Sequence, residues 1–242
     1  MNPLELVKTT SPQLQAAAAA FFFHPDTLAR GKELGLDGFR FYFLGRGGPL
    51  GDCDPLVVAS AFGYFHPSIV EMMWTSAQET MTPRDAGREY LECAANLGRS
   101  SLADIEGLQA FNDAAEAVVA NSDAGSLALF AAISAEPLPD DAAGRAYRNA
   151  VNLRELRGST HLLAIAGAGL SPAVAHAIRR PDDTGMFGWD PAPKVSDQDR
   201  VILEQADQRT DELMEPAFAE LSDEQSTAFA AGSEAIFKVF DA

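Results

Sequence analysis

Gly38-Phe39-Arg40-Phe41-Tyr42-Phe43-Leu44 decides the fold. Read alone, this aromatic-rich, alternating run has the residue preferences of a β-strand. A strand must send its backbone N–H and C=O groups to a neighbour, because a buried unpaired peptide group costs about as much as a lost hydrogen bond. No other run in the 242 residues alternates in a way that would pair with it. The stretch is therefore expected to be helical. With it the fold class is all-α: a multi-helix bundle with a C-terminal helical pair.

Outward from that stretch, helix starts recur. Ser11-Pro12, Asp54-Pro55, Thr82-Pro83 and Ser171-Pro172 each put a capping side chain before a proline. Proline suits a first helical turn because its missing N–H would be unpaired there anyway. Ser222 and Gln225 have the spacing of a capping box. Ala- and Leu-rich segments with helical periodicity run from Ser101 to Asn121, Asp141 to Ala166 and Ser196 to Leu221. Breaks fall at 46–54, 136–140 and 180–194. The last is the longest and divides a main bundle (1–180) from the C-terminal pair (195–242), with a single domain as the alternative. Phe23-His24-Pro25 echoes Phe65-His66-Pro67, either by duplication or as one helix-ending habit used twice.

Composition bounds the partners. The net charge is −17, from 18 Lys and Arg against 35 Asp and Glu. Nucleic-acid affinity comes mainly from cations neutralising phosphates, so the expectation is no nucleic-acid partner. The longest apolar run, Ala16 to Phe23, is far short of the ~20 residues that a membrane span requires. The first residues lack a basic and then apolar leader. A soluble, cytoplasmic protein with no membrane partner is expected. Cys53 and Cys93 have no metal-ligand spacing and read as reduced thiols. Ala-rich helices suit a homodimer as well as ordinary core packing.

Three segments in order carry a resemblance. The first runs from Gly35-Leu36-Asp37-Gly38-Phe39 through Arg46-Gly47-Gly48-Pro49-Leu50-Gly51 to Phe62-Gly63-Tyr64-Phe65-His66-Pro67. The second is Leu153-Arg154-Glu155-Leu156-Arg157-Gly158-Ser159-Thr160-His161, continuing to Ala168-Gly169-Leu170. The third is Arg209-Thr210-Asp211-Glu212-Leu213 with Pro216. From about Phe22 to about Phe237 the chain resembles an actinobacterial family of helix-turn-helix-like proteins, largely uncharacterised. The family carries a winged-helix-like segment between the tryptophan at Trp189 and the Thr-Asp motif. Here Trp189 passes through Pro191 and Pro193 almost directly to Ser196, so that segment is expected to be reduced. Leu156, Ser159 and Thr160 stand where the family tends to have His, Asp and Gly, so a polar site found elsewhere in the family is altered here.

The polar residues of these segments are the candidates for chemistry. Arg154, Arg157 and His161 are spaced to share one helix face. Guanidiniums bind planar anions through paired, charge-assisted hydrogen bonds. The plainer reading of the stripe is salt bridges to other helices. His66 is placed at the end of an aromatic helix, either as a general acid or base or as a cap on carbonyls. Arg46 sits in a Gly-rich turn, Gly45 to Gly51, that lacks both the Lys-Ser/Thr of a phosphate loop and a βαβ setting. Met72, Met73 and Trp74 read as core, His24 and His176 as structural or surface residues. No metal motif is present, and no cofactor is expected.

The function expected on these grounds is small-molecule binding, foremost a metal-free acid–base enzyme acting on a carboxylate- or phosphate-bearing metabolite. His66, His161 and Glu155 would be catalytic. Arg46, Arg154, Arg157, Tyr64 and Phe62 would bind the ligand. The alternative is a ligand-sensing or protein-interaction regulator without catalysis. The geometric expectation is that His66 and the Arg154–Arg157–His161 stripe meet in one cavity walled by Phe62, Phe65 and Leu153.

Overall fold

The computed structural model describes residues 1–241, and no strand occurs among them. The described α-helices are α1 (Pro3–Ala17), α2 (Pro25–Glu33), α3 (Gly38–Gly47), α4 (Pro55–Phe62), α5 (Pro67–Gln78) and α6 (Pro83–Ser101). They continue with α7 (Leu108–Asn121), α8 (Ala128–Ser134), α9 (Ala142–Gly167), α10 (Pro172–Arg179), α11 (Asp197–Ala219) and α12 (Asp223–Phe240). The protein is all-α. No single helix among the described residues is long and apolar enough to cross a membrane.

Side-chain caps set most of the starts. The Asp37 carboxylate accepts from the amides of Phe39 and Arg40, both at 3.0 Å, so the aromatic run opens α3 as a helix. Asp54, Thr82 and Ser171 cap α4, α6 and α10, each with proline in the first turn. Reciprocal capping boxes open α11 (Ser196 with Asp199) and α12 (Ser222 with Gln225). The Phe-His-Pro echo is one capping device used twice. His24 and His66 each accept through Nδ1 from the amide two residues on, at 3.3 and 3.2 Å.

Three local expectations change. Ser11-Pro12 lies inside α1, whose cap is Asn2, accepting from the Leu4 amide at 2.9 Å. The helix expected from Ser101 to Asn121 is broken between α6 and α7, where Gly107 takes a left-handed conformation (φ +78°) as the N-cap of α7. His66 begins α5 and does not end the preceding helix.

The long α9 is the axis of the bundle, touching α1, α6, α7, α8, α10 and α11. Its buried polar side chains are only partly paired: Asn149 donates to Asn112 at 3.1 Å and to Glu116 at 3.2 Å, whereas Arg148 Nε and Asn152 Oδ1 are buried without a partner among the described residues. The main core packs Phe43, Phe62, Trp74, Tyr90, Tyr147 and Phe111, and it takes in Met214, Phe218, Phe229 and Ile236 from α11 and α12. The two C-terminal helices thus share the core of the first ten. Trp74 is buried and Met73 packs on the core, while Met72 is exposed. The Gly-rich turn has a steric reason: a Cβ on Gly48 would stand 2.0 Å from the Pro83 carbonyl oxygen, so only glycine lets this turn lie against α6.

A second, smaller core joins the end of α9, α10 and the first half of α11 through Ile165, Leu170, Ala175, Leu203 and Ala206. Its geometry comes from a sharp corner. α9 and α10 are bent by 113° across residues 168–171. Gly169 is left-handed (φ +77°), the Leu170 amide donates to Ile165 O at 2.9 Å, and the Gly169 amide donates to Ala166 O at 3.0 Å. That is the Schellman arrangement, followed at once by the Ser171 cap and Pro172. Two helices at roughly 90–120° joined by a short turn containing glycine form a helix-turn-helix. The α2–α3 corner repeats the construction, with Gly35 at φ +83° and the Leu36 amide on Gly31 O at 2.8 Å.

Candidate functional site

A cavity of about 770 Å³ lies between the aromatic side of the main core and the α9–α10 corner. Its apolar wall is built from Phe22 after α1, Tyr42 of α3, Phe62 of α4, and Phe65 and Phe187 from loops. Phe65 and Phe187 stack with centroids 4.1 Å apart and planes within 11°. The loop holding Phe187 is pinned by two hydrogen bonds: the His66 amide to Phe187 O at 2.8 Å, and Trp189 Nε1 to Tyr64 O at 2.7 Å. The segment read from sequence as a break between bundle and tail therefore forms part of the cavity wall.

The polar wall centres on Glu155, which is buried. Arg46 reaches it with two N–H groups, Nε to Oε1 at 3.1 Å and NH2 to Oε2 at 2.7 Å. Arg154 adds a third donor at 2.9 Å. Burial alone would push the Glu155 carboxyl up, but the two guanidiniums hold it below its ordinary value. Each cation also lies on a ring, Arg46 4.4 Å from the Phe62 centroid and Arg154 4.6 Å from that of Phe22. Such contacts contribute roughly 0.5–2 kcal/mol each.

Arg157 is less well paired. Its one ion pair, to Asp211, is long at 3.5 Å, and its Nε is buried without a partner among the described residues. His161 is tied to Thr210, Nδ1 to Oγ1 at 3.0 Å. Since the Thr210 hydroxyl donates its proton to Ala206 O at 2.7 Å, its oxygen must accept here, and His161 carries its proton on Nδ1. Burial pulls the imidazole down to about 4; Asp207 opposes this, and Arg157 and Arg179 add to it. The ring is neutral near pH 7. Burial pushes the Tyr64 hydroxyl up to about 12, so it too is uncharged.

Eight of the site and wall residues singled out from sequence line this one cavity: Arg46, Phe62, Tyr64, Phe65, Arg154, Glu155, Arg157 and His161. His66 and Leu153 do not. His66 is committed to its cap and to the edge of Trp189, 4.8 Å between ring centroids. Leu153 is buried in the main core. His176, set aside from sequence as structural or surface, lines the cavity against Phe187, with Nε2 buried and unpartnered among the described residues. Gln15 and Asp207 also went unnoticed, and Arg179 carried no expectation of lining a cavity. Only the capped start of α10 hinted at Arg179 and His176; nothing local marks Gln15 or Asp207. Among the described residues no group of three His, Cys, Asp or Glu is placed to hold a metal ion.

Residues 7–192 match the family described as a helix-turn-helix family. No curated protein and no solved structure matches the chain. The family match points to a DNA-binding type of regulator and overturns two expectations. The acid–base enzyme acting on an anionic metabolite is corrected, and with it the ligand-sensing or protein-interaction alternative that left DNA out. The geometry concurs: Glu155 is locked by two arginines, His161 has left the neutral range, and His66 is outside the cavity. The exclusion of nucleic acid in favour of a small-molecule partner is corrected as well; it rested on total charge, which says nothing of one local surface. Because the match runs through most of its length, the chain belongs to the helix-turn-helix family.

Proposed function

We propose that this protein is a DNA-binding regulator whose reading unit is the α9–turn–α10 corner. The observation that carries the reading is the family match, supported by a corner of helix-turn-helix geometry inside the matched residues. At the end of α10, Arg179 and Arg180 are exposed, paired with Asp207 and, at 3.9 Å, with Asp183, and would exchange these carboxylates for phosphates. Ser171 and Pro172, at the start of α10, are its solvent-facing residues nearest the turn. We propose also that the wing of the family is reduced here, since no strand lies between Trp189 and Asp197. The compartment of such a regulator is the cytoplasm, where DNA is accessible to it.

Selection from a pool of random-sequence duplexes at low salt tests the reading. The expected result is enrichment of one sequence motif, and loss of that enrichment when Arg179 and Arg180 are both replaced by alanine. A pool that stays random through repeated rounds contradicts it.

A further inference from the structure

We infer that the cavity is the control site of this regulator and takes an aromatic anion. Its role as a control site rests on the DNA-binding reading; the class of ligand does not. Size comes first. About 770 Å³ lies in the range of roughly 300–1,000 Å³ typical of small-molecule sites.

Charge comes second. Five guanidiniums (Arg46, Arg154, Arg157, Arg179, Arg180) line the cavity against two carboxylates, Glu155 and Asp207. Among the lining residues the excess is three positive charges in a chain whose net charge is −17, with Asp211 3.5 Å from Arg157 and Asp183 3.9 Å from Arg180 just outside the lining. Arg46 is held by Glu155 and Arg179 by Asp207, while Arg154 reaches Glu155 through one N–H and its Nε is buried without a partner among the described residues. Arg157 holds only its long contact to Asp211, with a buried Nε unpaired among the described residues. A half-buried guanidinium whose carboxylate partner is distant is a natural seat for an anion.

Wall chemistry comes third. The rings of Phe22, Tyr42, Phe62, Phe65 and Phe187 favour an aromatic body. The wall also explains how occupancy would be felt. Arg157 and His161 belong to α9, His176 and Arg179 to α10, and Asp207 to α11. A ligand in the cavity touches both helices of the corner and the helix that supports them, so it biases the geometry that meets DNA.

Two fluorescent probes with the same ring system test the class: 8-anilinonaphthalene-1-sulfonate, an anion, and N-phenyl-1-naphthylamine, which lacks the sulfonate. The expected result is saturable one-to-one binding of the anion, about tenfold or more tighter than the neutral probe. Arg157→Gln should weaken the anion by about tenfold, the loss of one charge-assisted hydrogen bond, and leave the neutral probe unchanged. Arg157→Lys should recover part of the difference, and it carries the comparison if circular dichroism shows Arg157→Gln to be unfolded. Equal affinity for the two probes, equal loss of both in the variant, or no saturable binding overturns the inference. The control role is read separately, by adding the anionic probe to the complex with the selected duplex. A change of at least threefold in DNA affinity is expected. Unchanged DNA affinity with the probe bound overturns that role and leaves the ligand class standing. Failure to select any duplex strikes the DNA reading and, with it, the control role, while the probe result still decides the ligand class.

Discussion

Single residues carry the electrostatics of this protein, and Glu155 has the most consequential position. One buried carboxylate holds Arg46 from α3 and Arg154 from its own helix. Removing one member of such a set leaves buried charge without compensation, which costs more than the intact set contributes. Glu155→Gln should therefore lower stability by about 3 kcal/mol, read as a lower denaturation midpoint at unchanged slope; a loss under about 1 kcal/mol would show that solvent already satisfies both arginines. His161 sets a pH dependence. Its folded pKa is depressed from 6.5 to about 4, so the unfolded chain binds a proton that the folded chain refuses. That contribution is complete above about 6.5 and is lost as pH falls toward about 4. His176 is depressed by burial and by Arg180 and adds in the same direction, whereas Asp211, raised chiefly by burial, opposes it at lower pH. His161→Gln should flatten the fall in melting temperature between pH 6.5 and 5. An identical slope in the variant would place the proton uptake elsewhere.

At the scale of elements, most caps were legible in the sequence, and corners and long-range pairs were not. Asp54, Thr82, Ser171 and Ser222 announce their helices because a cap is a contact within three residues. The break before α7 was invisible because Gly107 caps without a side chain. The helical spacing of Arg154, Arg157 and His161 put them on one face, and the cavity does gather them. The partner of Arg46 lies 109 residues away, and nothing local marks such a pair. Corner glycines give the cleanest test at this scale. A Cβ on Gly169 meets nothing within 4 Å, so Gly169→Ala bears only the left-handed backbone cost, about 1–2 kcal/mol. That is a fall of a few degrees in a protein of this size. Gly48→Ala, blocked by a backbone oxygen, should fall much further in the same thermal melts. Equal falls would mean that the turn before α4 yields easily.

For the whole molecule, total charge proved a poor guide to partners. A chain at −17 repels a duplex as a body, yet it gathers five arginines around one cavity, two of them at the end of the helix that follows the corner. On the DNA-binding reading, acidity elsewhere would hold non-specific DNA away. The most direct test of the DNA-binding reading is the affinity for the selected duplex, followed by fluorescence anisotropy over a salt series. Contacts from Arg179 and Arg180 predict that log K falls with log salt at a slope of about −2 per protomer, and Arg180→Ala should reduce that slope by about 1. Binding insensitive to salt, or no binding even at the lowest salt, would contradict the account.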